Sequence, residues 1–325
     1  MLGKTGGGPV SGPGMNMSRS TVDRRQAYRR ARGIRPNGGH RRGDFGVGST
    51  RHGPLLLASL IVALATPAQA DDEIQVYNAE IAKVGEWTVQ QHLNYAIQGR
   101  REPDFPGGLI PNHALNGTPE FAQGITPWWE WGFYIPWAVD ESGRLYSNAA
   151  KIRTLFASPD AEKREFFYGI NFEFAYATRK FSETRWTGEI RPIIGWRKGD
   201  YEFIVNPILD LSFGREGEVE FAPAVRFAKK VAEEFQIGVE YYANLGPVGN
   251  FLPLKEQEHN IYGVVDFKVG VVDVNFGIGY GLTSPGSDRW MAKMILGTEL
   301  KNLLPGLSSE SASASALPTL RQVGR

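Results

Sequence analysis

One run in the middle of the chain constrains the fold more than any other. Phe166, Tyr168, Ile170, Phe172, Phe174 and Tyr176 fall at every second position, with Gly169, Asn171, Glu173 and Ala175 between them. Successive side chains of a β-strand point to opposite faces, so one face of this segment is aromatic and the other small or polar. The aromatic face must be covered by protein or by lipid. The same alternation recurs about a dozen times behind an export signal, the pattern expected of an outer-membrane β-barrel. The fold class read from the sequence is therefore all-β, an antiparallel transmembrane β-barrel of about twelve strands, with ten to fourteen compatible with the segments.

Residues 54–67 form an apolar stretch of 14, too short for a membrane-spanning helix. Arg51 precedes it and Ala68-Gln69-Ala70 follows, the pattern of a secretory signal (residues 51–70) cleaved after Ala70. Residues 1–50 carry Lys4 and nine Arg against Asp23 and Asp44. This basic Arg/Gly-rich leader reads as sequence upstream of the true translation start, for which Val47 is well placed; a nucleic-acid-binding tail is the alternative. Residues 1–70 hold 11 basic and two acidic residues, so in a chain of formal net charge +1 the remainder carries −8. That acidity argues against a nucleic-acid partner. The chain has no Cys, which removes disulfide and thiol chemistry.

Twelve alternating segments are expected, at 83–98, 114–123, 129–138, 148–157, 165–177, 185–197, 201–212, 219–228, 235–243, 259–268, 271–281 and 289–300. Their connections alternate between longer and tighter, as the outer loops and periplasmic turns of such barrels do. The barrel is thus expected over residues 71–300, followed by a Ser/Ala/Leu-rich tail, 301–325, read as disordered. A Lys198-Gly199 turn would pair Trp196 with Tyr201 and Arg197 with Asp200, and a Val269-Gly270 turn would set Asp266 against Asp273. Like charges so placed disfavour joint ionisation, and Lys293 is the candidate counter-ion. Prolines at 192, 207 and 223 are expected to bring bulges or kinks, since none donates to the ladder.

The polar faces supply the candidate functional residues: Lys151, Arg153, Glu173, Glu189, Arg191, Glu202, Asp210, Arg226, Glu240, Asp266, Asp273 and Lys293. Charge facing lipid at the midplane costs about 2–4 kcal/mol for Arg or Lys, so these side chains are expected inside the barrel. There they would either line a hydrated pore and tune what passes, or pair into a network that fills the lumen. Trp129, Trp131, Trp196 and Tyr201 are expected in an aromatic girdle at the membrane interface, with a ligand platform as the alternative for the Trp128–Trp131 cluster. No catalytic Ser-His-acid arrangement and no metal-ligand spacing is visible, and no cofactor is expected. The loop Arg100–Gly108 would either fold inward or lie over the mouth.

The stretch from Thr118-Pro119-Glu120 through Gly124-Ile125-Thr126-Pro127-Trp128 to Trp131-Gly132-Phe133-Tyr134-Ile135-Pro136, with Asn148-Ala149-Ala150-Lys151 after it, resembles an exported barrel family. That family carries the label of the meta-pathway of phenol degradation. The resemblance implies a barrel with a transport role for small compounds, hydrophobic or aromatic ones among them, and supplies no binding residues. The tail replaces the terminal aromatic strand end that barrel-assembly machinery commonly reads. The reading is an outer-membrane barrel acting as a passive channel or uptake route. Its expected partners are outer-membrane lipid, the assembly machinery and a small solute; a closed-lumen structural barrel and a soluble exported β-protein are the alternatives.

Overall fold

The computed structural model describes residues 73–148, 150–214 and 217–303. The leader, the signal and residues 304–325 of the tail lie outside the described residues. Sixteen strands are present: β1 (Trp87–Gln98), β2 (Leu115–Thr126), β3 (Trp129–Tyr134), β4 (Trp137–Val139), β5 (Leu145–Ser147), β6 (Ala150–Ala157), β7 (Phe166–Tyr176) and β8 (Trp186–Lys198). They continue with β9 (Tyr201–Asn206), β10 (Leu209–Phe213), β11 (Val219–Phe221), β12 (Ala224–Ala232), β13 (Phe235–Asn244), β14 (Glu258–Val269), β15 (Val272–Gly281) and β16 (Trp290–Glu299). All of their pairings are antiparallel, and β1 pairs with both β2 and β16, which closes the sheet.

Four barrel strands are each made of two pieces. β2 pairs first with β3 and then with β4, and β8 with β9 and then with β10. β5 and β6 likewise form one strand, as do β11 and β12, so the sixteen pieces occupy the twelve positions expected. Closure removes the edges of the wall, which is what a β-structure in lipid requires, and leaves β5 and β11, each paired with one strand only, at the loop end.

Proline explains two of the interruptions. Pro207 separates β9 from β10 and Pro223 separates β11 from β12. The registers on either side place Pro192 of β8 level with Pro207, and Pro207 level with Pro223. Three residues without an N–H thus lie in one row across neighbouring strands, and the ladder is interrupted along it.

Both expected hairpin registers are off by two residues. Trp196 faces Phe203 and Arg197 faces Glu202, while Asp266 faces Asn275 and Asp273 faces Lys268. The turn pairs are Gly199-Asp200 and Gly270-Val271, with φ of 59° and 61° at the glycines. A type II′ hairpin turn needs glycine at its first central position, whereas the sequence reading had put it second. A shift of two leaves every side chain on its expected face.

The outer face is aromatic and exposed: Phe166, Tyr168, Phe172, Phe174 and Tyr176 all point outward, while Asn171 and Glu173 of the same strand are buried. Trp196 and Tyr201 are exposed at the turn end, and Trp129 and Trp131 flank them on the same rim, with Trp87 edge-on to Trp131 at 5.6 Å. A second aromatic group marks the loop end, where Tyr176 packs on Trp186 and Tyr280 on Trp290. Arg100, in the first long loop, binds Asp104 of the same loop and Asp288 ahead of β16, and the Leu109 N–H donates to the Lys180 carbonyl between β7 and β8 at 3.0 Å, so that loop is pinned across the mouth. The first residues of the tail belong to one helical turn, Leu300–Leu303, where Lys301 reaches Glu86 at 2.7 Å and Glu299 at 2.8 Å.

Candidate functional site in the barrel lumen

The lumen is occupied by the segment of the chain that leads into β1. Residues 73–83, which precede β1, have almost no regular structure, yet Ile74, Val76, Tyr77, Ala79 and Ala82 are buried. This strap runs from mid-lumen at Glu73 to the turn end, where Val84 bridges Gly124 and the Gly85 N–H donates to the Gly124 carbonyl at 2.8 Å. The strap leaves the barrel over Gly124. A Cβ there would lie 2.1 Å from the Ala82 carbonyl oxygen and 2.5 Å from that of Lys83, so only glycine admits the strap at this point.

Wall side chains satisfy the strap's backbone, which has no ladder of its own. Asn206 accepts from the Tyr77 N–H at 2.7 Å and donates to the Tyr77 carbonyl at 3.1 Å. Glu130 accepts from the Ala82 N–H at 2.5 Å, Arg191 donates to the Gln75 carbonyl at 2.9 Å, and Lys293 to the Ile74 carbonyl at 3.1 Å. On the apolar side, Val76, Tyr77 and Ala79 pack with Leu155, Phe167, Ile193 and Ile204, which point inward.

Around this strap the charged side chains form two clusters. In the first, Lys151 is shared between Glu73 (2.6 Å) and Glu173 (3.0 Å), and Arg153 between Glu120 and Glu130 (both 2.6 Å). Tyr77 and Tyr134 join by their hydroxyls at 2.8 Å, and both reach Glu173 at 3.3 Å. His92 Nε2 lies 3.1 Å from Glu120 and 3.7 Å from Glu73. Beside this cluster Glu189 holds Arg191 through both oxygens at 2.7 Å, and the Arg191 guanidinium lies 4.2 Å from the Tyr77 ring centre.

In the second cluster Arg226 binds Glu240 at 2.6 Å, Asp266 at 2.5 Å and Glu202 at 3.3 Å. Arg197 takes the other oxygen of Glu202 at 2.6 Å, and Lys293 closes onto Glu240, which also accepts from the Tyr242 hydroxyl. The expected Asp266–Asp273 pair does not form. Asp266 is held by Arg226 and Asn275, and Lys293 by Glu240; Asp273 is exposed at the turn end, 3.2 Å from Lys268. Asp210 lies level with Glu189 on one side and Glu220 on the other, at the loop-side end of the lumen.

The sequence reading left out the strap, and a signal for it existed. Leu155, Phe167, Ile193 and Ile204 are apolar residues on otherwise polar faces of four strands, and such residues in a lumen ask for an apolar partner. Val76, Tyr77, Ala79 and Ile81, just ahead of β1, are that partner.

With the lumen described, the molecule can be compared with known proteins. An outer-membrane channel from Pseudomonas putida F1 superimposes with a TM-score of 0.50 over 70% of this chain and 100% of that one, at 9% identity. The chain has the fold of outer-membrane β-barrels. The NanC porin (TM-score 0.44, 8% identity, 66% of this chain and 98% of that one) has a similar general shape. So does the translocator domain of the autotransporter NalP from Neisseria meningitidis (0.38, 8%, 68% and 90%). These likenesses concern the fold alone. No family model and no curated protein sequence matches the chain.

Proposed function

We propose that the barrel is a passive outer-membrane channel that prefers small cationic solutes, with the strap narrowing its path. The observation that carries this reading is the charge of the two vestibules the strap separates. The loop-side vestibule is lined by seven carboxylates, among them Glu189, Asp210, Glu220 and Glu258, against Lys151 and Arg191. The turn-side vestibule is lined by thirteen carboxylates against seven Lys and Arg. Walls of one sign around a narrow, low-dielectric path concentrate counter-ions and exclude co-ions.

The resemblance to the meta-pathway family supports a transport role for small compounds. The ionic lining favours polar cargo over the hydrophobic compounds that resemblance implies, because an apolar solute would have to displace hydrogen-bonded charges to pass. Of the twelve lumen residues named from the sequence, Lys151, Glu173, Arg191 and Lys293 hold the strap, and in this reading the charged set as a whole governs the selectivity.

The test is the reversal potential of the protein in planar bilayers under a potassium chloride gradient. A potential of the sign for potassium permeation is expected, reduced when Asp210 and Glu220 are both changed to the amides. Anion preference would overturn the reading, and a folded, inserted barrel without conductance would favour a closed structural barrel.

A further inference from the structure

The first charge cluster is two cations short. Lys151 and Arg153 are each shared between two carboxylates, so four carboxylates (Glu73, Glu173, Glu120 and Glu130) face two positive charges. The two halves of the cluster meet at His92, whose side chain is 1% exposed. Lys151 holds Glu73 Oε2 and Arg153 holds Glu120 Oε1, which leaves Glu73 Oε1 and Glu120 Oε2 turned toward His92 Nε2.

We propose that Glu73, His92 and Glu120 form a binding site for one divalent transition-metal ion of the zinc class, which fastens the strap to β1 and β2. The ligand atoms of the three residues all lie within 4.8 Å of one another. His92 Nε2 is 3.1 Å from one carboxylate oxygen and 3.7 Å from the other. Metal–ligand bonds of about 2.0–2.2 Å in a tetrahedron set neighbouring ligands about 3.4 Å apart, so each of the two distances from His92 Nε2 needs to change by only about 0.3 Å. One imidazole with two carboxylates suits zinc-like ions better than magnesium or calcium, which favour all-oxygen sets. A divalent ion also supplies the two positive charges the cluster lacks.

Protonating His92 is the alternative source of charge, and it serves less well. It adds one charge where two are lacking; Nδ1, which carries the ring hydrogen once a metal occupies Nε2, has no partner among the described residues. The same bare Nδ1 keeps the affinity below that of sites whose histidine is backed by a carboxylate, in the micromolar range. Lys151 and Arg153 orient the two carboxylates as outer-shell partners do in metal sites.

The experiment uses protein purified from outer membranes in detergent and stripped with a chelator, with Zn2+ alone as the probe in calorimetry. Co2+ then reports coordination number by its visible absorption. One Zn2+ per barrel is expected, with affinity falling about a hundredfold in Glu73→Gln and in His92→Ala. Glu73 lies in no strand, so Glu73→Gln leaves the wall pairing intact, and heat-modifiable migration on gels verifies the fold of both variants. Absence of binding in the intact protein, binding unchanged in both variants, or binding that instead follows His113 or His259, the other histidines among the described residues, would each overturn the proposal. Closure of the conductance by Zn2+ is a separate measurement that rests on the channel reading, so binding without an electrical effect would count against that reading and not against the site.

Discussion

The two charge clusters in the lumen are built from the same residue types and differ in their balance. In the cluster spanning β8, β9, β12, β13, β14 and β16, Arg197, Arg226 and Lys293 meet the wall carboxylates Glu202, Glu240 and Asp266, one charge for one, with the exposed Glu80 of the strap 3.3 Å from Arg197 at its edge. In the cluster spanning β1, β2, β3, β6 and β7, two cations serve four carboxylates, and one of these, Glu73, comes from the strap. The balanced cluster is satisfied by the wall itself and ties strands together. The cation-poor cluster is incomplete as wall alone, so it is where the strap has most influence. Buried charges are costly unless paired, and it is on this imbalance that the proposed ion site rests.

The largest expected effect comes from breaking the balanced cluster. Lys293→Met leaves Glu240 with less compensation in a buried position and is expected to cost about 3–5 kcal/mol, read from urea unfolding of the barrel in lipid vesicles. Glu173→Gln, in the cation-poor cluster, removes an excess negative charge while keeping an acceptor for Tyr77, Tyr134 and Asn171, and is expected to cost at most about 1 kcal/mol. Equal costs for the two substitutions would break the comparison.

Gly124→Ala sharpens it from the strap's side. The added methyl meets two strap carbonyls, and a cost of about 1–3 kcal/mol is expected, with raised conductance because the strap is displaced and the wall is not. Unchanged stability and conductance would show that the strap does not leave over this residue.

The smallest effect lies outside the lumen. Asp140, between β4 and β5, accepts hydrogen bonds from the Ser142 hydroxyl, the Arg144 N–H and the Tyr146 hydroxyl, which lower its pKa to about 2. The folded value lies below the usual 3.8, so the contribution to the loop is full above pH 3.8 and disappears as the pH falls through about 2. Hydrogen exchange at the Gly143 amide, which bonds the Asp140 carbonyl, is expected to stay slow at pH 3 and to accelerate near pH 2.

The wall was legible in the sequence because period-two alternation is a strong, local signal: β7 and β15 show it over ten residues or more. All twelve expected segments correspond to barrel positions, including the weakly patterned second and tenth. Register was harder, because a turn displaced by one residue at each end alters the pairing by two while every residue keeps its face; Gly199 and Gly270 had to be read as first turn positions. The strap was the hard part. Its order comes from long-range contacts, such as Tyr77 with Asn206, separated by 129 residues, and no local periodicity encodes those. The leader and signal readings remain expectations from sequence.

The central claim is that residues 73–83 occupy and narrow the lumen. The most direct measurement is single-channel conductance in planar bilayers of the intact protein against a variant lacking residues 73–83, both verified as folded by heat-modifiable migration. The account expects unitary steps several-fold larger without the strap, with weaker cation preference. Identical unitary conductance and selectivity in the two proteins would contradict it.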